Sequence, residues 1–116
     1  MTVVAMCAVV TMAAKYRVEK EGLFEMVATR HINVMNDAGK VVVTLSANDD
    51  GNGMIRTKSA KGKELVELTA SDSGGMVEVL NNTGEAIAQM YADEYGNGVV
   101  GAWDRKGKGR TLKPGL

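Results

Sequence analysis

The chain is short of aromatic, cysteine, proline and histidine side chains, and each shortage excludes something. Three Tyr, one Trp and one Phe are the only aromatics in 116 residues. They do not interleave with a basic stripe, and fourteen basic residues are cancelled by fourteen acidic ones. No global field gathers nucleic acid or an acidic substrate, so RNA and DNA are not expected partners. The charges are scattered, as on an ordinary solvated surface. A single cysteine, Cys7, excludes an internal disulfide framework and leaves the redox compartment open. A single histidine, His31, cannot build a zinc site with one distant thiol, nor a Cys/His nucleophile pair. One proline stands against fourteen glycines, so the chain turns through backbone freedom at Gly.

Charge is also missing from one end. Residues 1–14 carry none, and Val3-Val4-Ala5-Met6-Cys7-Ala8-Val9-Val10 is strongly apolar. A bilayer span needs roughly 20 apolar residues, and no basic region of the signal-peptide kind precedes this run. Yet Met12-Ala13-Ala14 followed by Lys15, Tyr16 and Arg17 has the form of a membrane-helix end with its interfacial residues. The run therefore reads as a short apolar helix over 1–14. It is a membrane anchor or part of an export signal, or else a helix packed on the domain or on a neighbouring subunit. Cys7 follows Met6, where lipid attachment wants a small residue, and so reads as an ordinary apolar side chain. Residues 15–30 form a charged connector with an extended piece from Leu23, and Gly22 disfavours one continuous helix.

The strongest signal is an internal repeat over residues 31–116. Gly39, Gly62, Gly84 and Gly107 are spaced 23, 22 and 23 residues apart, and their neighbours align. Asn36, Ser59, Asn81 and Asp104 stand three before them; Lys40, Lys63, Glu85 and Lys108 directly follow. Val42, Leu65, Ile87 and Arg110 come three after, with Leu45, Leu68, Met90 and Lys113 six after. A polar side chain that caps a type I turn, followed by a left-handed Gly at a bulge, defines a β-hairpin. Positive φ is expected at all four glycines. The flanking runs are too short for helices. Eight strands are predicted, over 31–36, 40–47, 54–59, 63–70, 76–81, 85–92, 99–104 and 108–113. Looser Gly-rich turns near 49–53, 72–75 and 94–98 join successive hairpins.

The fold class is thus all-β: tandem hairpins in a meander or β-prism, with a β-solenoid as the alternative. If the bulged turn alone sets the register, Val34 faces Val42, with Ile32 on the same side. Met35, Val41, Val43 and Leu45 then fall on the other side, unless a further bulge shifts them. Apolar residues on both faces call for a second layer or a partner chain. The polar last repeat, with Arg110 and Lys113 in aliphatic columns, reads as a cap.

The unit with apolar alternation, Asn/Asp-x-x-Gly-Lys, and a closing Asp-x-Gly-x-Gly resembles repeats of bacterial exported or membrane-anchored proteins of uncharacterised function. The similarity covers about residues 15–116, including the ending Gly107-Lys108-Gly109-Arg110-Thr111-Leu112-Lys113-Pro114-Gly115. It implies a non-enzymatic, extracytoplasmic role with a membrane segment before the repeats, and it supplies no catalytic residues.

No catalytic, cofactor or metal residue is assigned. Asn48, Asp50 and Asn52 before Gly53 alternate like the start of a calcium loop, and Asp93 and Asn97 partly echo it. Turn-forming composition explains these residues without a metal. The Gly51/Gly53 and Gly96/Gly98 pairs fail as nucleotide loops because no helix follows. The eight methionines are too dispersed for copper and read as adaptable packing. The expectation is a non-enzymatic structural or assembly module, anchored at a membrane through residues 1–14 with the β domain extracytoplasmic. Its partners are other copies of itself, with a trimer as one form, or subunits of a membrane or extracellular assembly. The alternative is a ligand-binding module taking a glycan or calcium at the Gly/Asp turns.

Overall fold

The computed structural model describes residues 22–115. The apolar helix expected over 1–14 and the first part of the connector lie outside them. Residues 22–30 carry neither strand nor helix. From there the chain forms β1 (His31–Met35), β2 (Val41–Ala47), β3 (Gly53–Lys58), β4 (Glu64–Ser71), β5 (Gly74–Leu80), β6 (Ala86–Ala92), β7 (Gly98–Trp103) and β8 (Gly109–Leu112). They make one open sheet in the order β1-β2-β3-β4-β5-β6-β7-β8. Every neighbouring pair is antiparallel, so the repeats are hairpins in a meander.

The turns explain why the strands stop where they do. At the first, the Asn36 N–H donates to the Lys40 carbonyl and the Gly39 N–H to the Asn36 carbonyl, both at 2.9 Å. Asn36 Oδ1 accepts the N–H groups of Ala38 and Lys40 at 3.0 and 3.1 Å. One side chain thus satisfies two turn donors, each bond worth about 1 kcal/mol net. Gly39, Gly62, Gly84 and Gly107 have φ of 77°, 85°, 89° and 87°, as the hairpin reading requires.

Two of the connections expected to be looser are the same turn. Asn48 and Asp93 cap Asn48–Asn52 and Asp93–Asn97 through the same pair of side-chain bonds, with Gly51 and Gly96 at φ 84° and 80°. The bulged turn therefore recurs at both ends of the sheet, in six of the seven connections. The exception joins β4 to β5, where Ser71 pairs directly with Gly74 around the two-residue loop Asp72-Ser73.

The register corrects the expected faces. Met35 pairs with Val41, but Val34 pairs with Val43, which leaves Val42 unmatched. The same slip occurs between Thr57 and Lys58 and between Val79 and Leu80, leaving Leu65 and Ile87 over. A second bulge therefore follows the turn in each of the first, third and fifth strand pairings. The last hairpin has no slip, and Ala102 pairs with Arg110. Because one extra residue inverts the alternation beyond it, Ile32 and Val34 lie on the same face as Leu45 and Val43.

The sheet is a single layer. Val99, at 1% exposure, is the only fully buried hydrophobic residue among those described.

Candidate functional site

With the register in hand, each face can be read across the whole sheet. One row runs Ile32, Leu45, Ile55, Leu68, Val77, Met90, Val100, Leu112, one residue from each strand, each paired with the next. Beside it on the same face runs Val34, Val43, Thr57, Val66, Val79, Ala88, Ala102, Arg110. On its other side, β2 to β7 contribute Ala47, Gly53, Ala70, Gly75, Ala92 and Gly98. Across these three rows Arg110 is the one charged residue, and it sits on an edge strand. This is the aliphatic face.

The opposite face follows the intervening residues. Its central row is Asn33, Thr44, Arg56, Glu67, Glu78, Gln89, Gly101, Thr111. Arg56 bridges Glu67 at 3.1 Å and Glu64 at 3.2 Å. Glu67 and Glu78 are cross-strand partners, a like-charge pair that would be unfavourable alone. Arg56 offsets it from one side, and Gln89 donates to Glu78 from the other. All the acidic side chains in strands belong to this polar face. His31 lies at its margin, within 2.7 Å of the Asn33 side chain.

The polar face also makes its own small core near β7. Val99 pairs with Tyr91, and Trp103 lies over Gly101, where an added Cβ would run into the indole ring. Gly109, paired with Trp103, is likewise closed in by the indole and the Ala102 carbonyl. Glycine is needed at 101 because the indole occupies the space a side chain would take.

The aliphatic face has no such cover. The large hydrophobics left exposed on strands are Ile32, Val34, Met35, Ile55, Leu68, Met90, Val100 and Leu112, and all but Met35 are on this face. Shallow apolar grooves cross it, one bounded by Leu45, Ile55 and Leu68 and another by Val77, Met90 and Val100. These exposed aliphatics form one apolar stripe across the strands of the sheet.

The candidate calcium residues are brought together only as turns. Asn48 Oδ1 and Asp93 Oδ1 each accept two backbone N–H groups, and among the described residues no group of three His, Cys, Asp or Glu converges as a metal site. Arg110 sits in a flanking row of the aliphatic face, opposite Ala102. Reasoning from sequence missed the division into two chemically distinct faces, because the second bulge was not placed. No family model matches the chain, and no curated protein matches it.

Proposed function

We propose that this protein is a non-catalytic assembly module that presents a β-repeat surface to other copies of itself or to subunits of a larger complex. The observation that carries the reading is the concentration of exposed large aliphatics on one face of a single-layer sheet. At about 25 cal/mol per Å² of apolar surface, leaving such a face in water forgoes many kcal/mol that a partner would recover. A closed β-prism is the finer architecture in keeping with this.

The module is held at a membrane through residues 1–14, with the β domain outside the cytoplasm. Support comes from the charge-free run before Lys15-Tyr16-Arg17. Among the described residues no helix is long and apolar enough to cross a membrane. Sedimentation of the full chain in mild detergent tests the assembly reading. A defined oligomer at tens of micromolar is expected; a clean monomer that captures no other subunit of its native membrane or extracellular complex would defeat it. Anchoring predicts that the full chain partitions into vesicles and that a chain beginning at Leu23 does not.

A further inference from the structure

Resting on that assembly reading, we infer that three copies of this chain close their aliphatic faces into a triangular β-prism, strands crosswise to the threefold axis. The first argument is area. Eight strands spaced about 4.8 Å apart, each roughly 20 Å long, give a face near 700 Å². Closing a trimer buries all three faces, roughly 2,100 Å² in total shared among three contacts, against about 1,600 Å² in total for a standard two-chain interface, with almost no charge to desolvate.

The second argument is the grading of side-chain size across the face. The middle row holds Leu, Ile, Met and Val on every strand. The row on one side holds only Ala and Gly from β2 to β7, and the row on the other is Val, Thr and Ala until Arg110. Two stacked sheets keep an even separation of about 10 Å and would accept large residues in every row. A triangular prism is deepest at the middle of each side and shallowest at its corners. With sides of roughly 20 Å, its centre lies about 6 Å from each sheet, the reach of a leucine or methionine side chain. One margin, all Ala and Gly from β2 to β7, fits the shallow corner of that section, while the other carries Val34, Val43, Val66 and Val79, no larger than their neighbours in the middle row.

Growth along the axis is limited at the β8 end. That strand is only four residues long, carries Arg110 on the aliphatic face and is followed by Lys113 and Pro114.

The test is the native mass of the full chain in mild detergent, compared among three variants. Wild type and Glu67→Lys, on the polar face, are expected at three chain masses. Leu68→Lys, in the middle row, is expected at one, a threefold loss. Gly75→Leu discriminates further: an added Cβ there meets nothing within 4 Å in the single sheet, so the strands should form, as circular dichroism will show. The prism corner has no room for it, and the trimer should again fall to monomer. A wild-type dimer that tolerates Gly75→Leu overturns the prism while leaving the assembly reading standing. A trimer that survives both Leu68→Lys and Gly75→Leu shows association elsewhere and also overturns it. A wild-type monomer removes the prism, and with it self-association.

Discussion

On β7 the two faces can be compared residue by residue. Val99 is 1% exposed and its neighbour Val100 is 48% exposed, although the two are identical side chains one position apart. The difference is what lies above them. On the polar face, the sequence supplies its own lid in Tyr91 opposite Val99 and in Trp103 lying over Gly101. On the aliphatic face, a ladder of eight apolar residues runs the width of the sheet, and six of them, Ile32, Ile55, Leu68, Met90, Val100 and Leu112, are exposed. A single-layer sheet gains most of its stability from cross-strand pairs and turns. Whatever apolar burial it achieves alone is local to places like β7. The polar face carries its own cover, and the aliphatic face leaves most of its large side chains exposed.

The largest expected effect tests the lid. Trp103→Ala should lower unfolding free energy by about 2–3 kcal/mol, since it removes the indole that lies over Gly101 and against Gly109. Val100→Ala, one strand face away, should take less than about 1 kcal/mol from the monomer, because that side chain is half exposed already. Denaturant titrations at low and high protein concentration separate the two. The Trp103 loss should be the same at both concentrations, and the Val100 loss should grow with concentration as association sets in. Equal, concentration-independent losses would erase the distinction between the faces.

How much of this distinction was legible beforehand depended on where the chain leaves the regular pattern. The hairpins were readable because Asn36, Ser59, Asn81 and Asp104 each precede a glycine at a fixed offset, and that offset has one physical use. The turns at Asn48 and Asp93 carry the same polar-x-x-Gly signature. Sitting half a repeat away from the main columns, they have the look of loose linkers in the sequence. The second bulge was hidden for a better reason. Val41-Val42-Val43 and Leu65-Val66 are apolar at successive positions, so either alternation fits them, and only the pairing partner shows which residue is the extra one. The contact of Trp103 with Gly101 had a signal that went unused: a large and a null side chain two apart in a strand share a face. The aliphatic ladder itself could be assembled only after the register was known.

A middle-sized effect uses a turn position that belongs to neither face. Gly84 holds φ 89° in the β5–β6 turn, a conformation poor for any β-branched residue. Gly84→Val should destabilise the chain by about 1 kcal/mol or more by straining the hairpin directly. It touches neither face, so the oligomer mass of the folded fraction should be unchanged. Loss of the oligomer at full strand content would mean that association depends on turn shape, and the contrast between faces would need revising.

The smallest effect comes from pH, to which the two faces should respond differently. Every acidic strand residue, together with His31, is on the polar face, while the one charged residue in the aliphatic rows is Arg110. Mild acid should therefore leave association through the aliphatic face intact while acting on the turns. Glu85, in the turn before β6, is the clearest case. The Thr83 hydroxyl beside it holds its carboxyl below the usual value, helped by its own backbone N–H, the Asn81 side chain and Arg105, and opposed by partial desolvation. A carboxyl lowered on folding adds stability above its unfolded pKa, and that contribution fades as pH falls through the folded value. Its partners Thr83, Asn81 and Arg105 all lie in turns, so the effect is local to the turns. Thr83→Val should return the Glu85 titration, followed by NMR of its side-chain carboxyl, toward the ordinary glutamate range. The mass measured between pH 7 and pH 5 should stay constant in both proteins. A mass that follows the Glu85 titration would place a turn carboxylate in the interface and break the assignment of association to the aliphatic face.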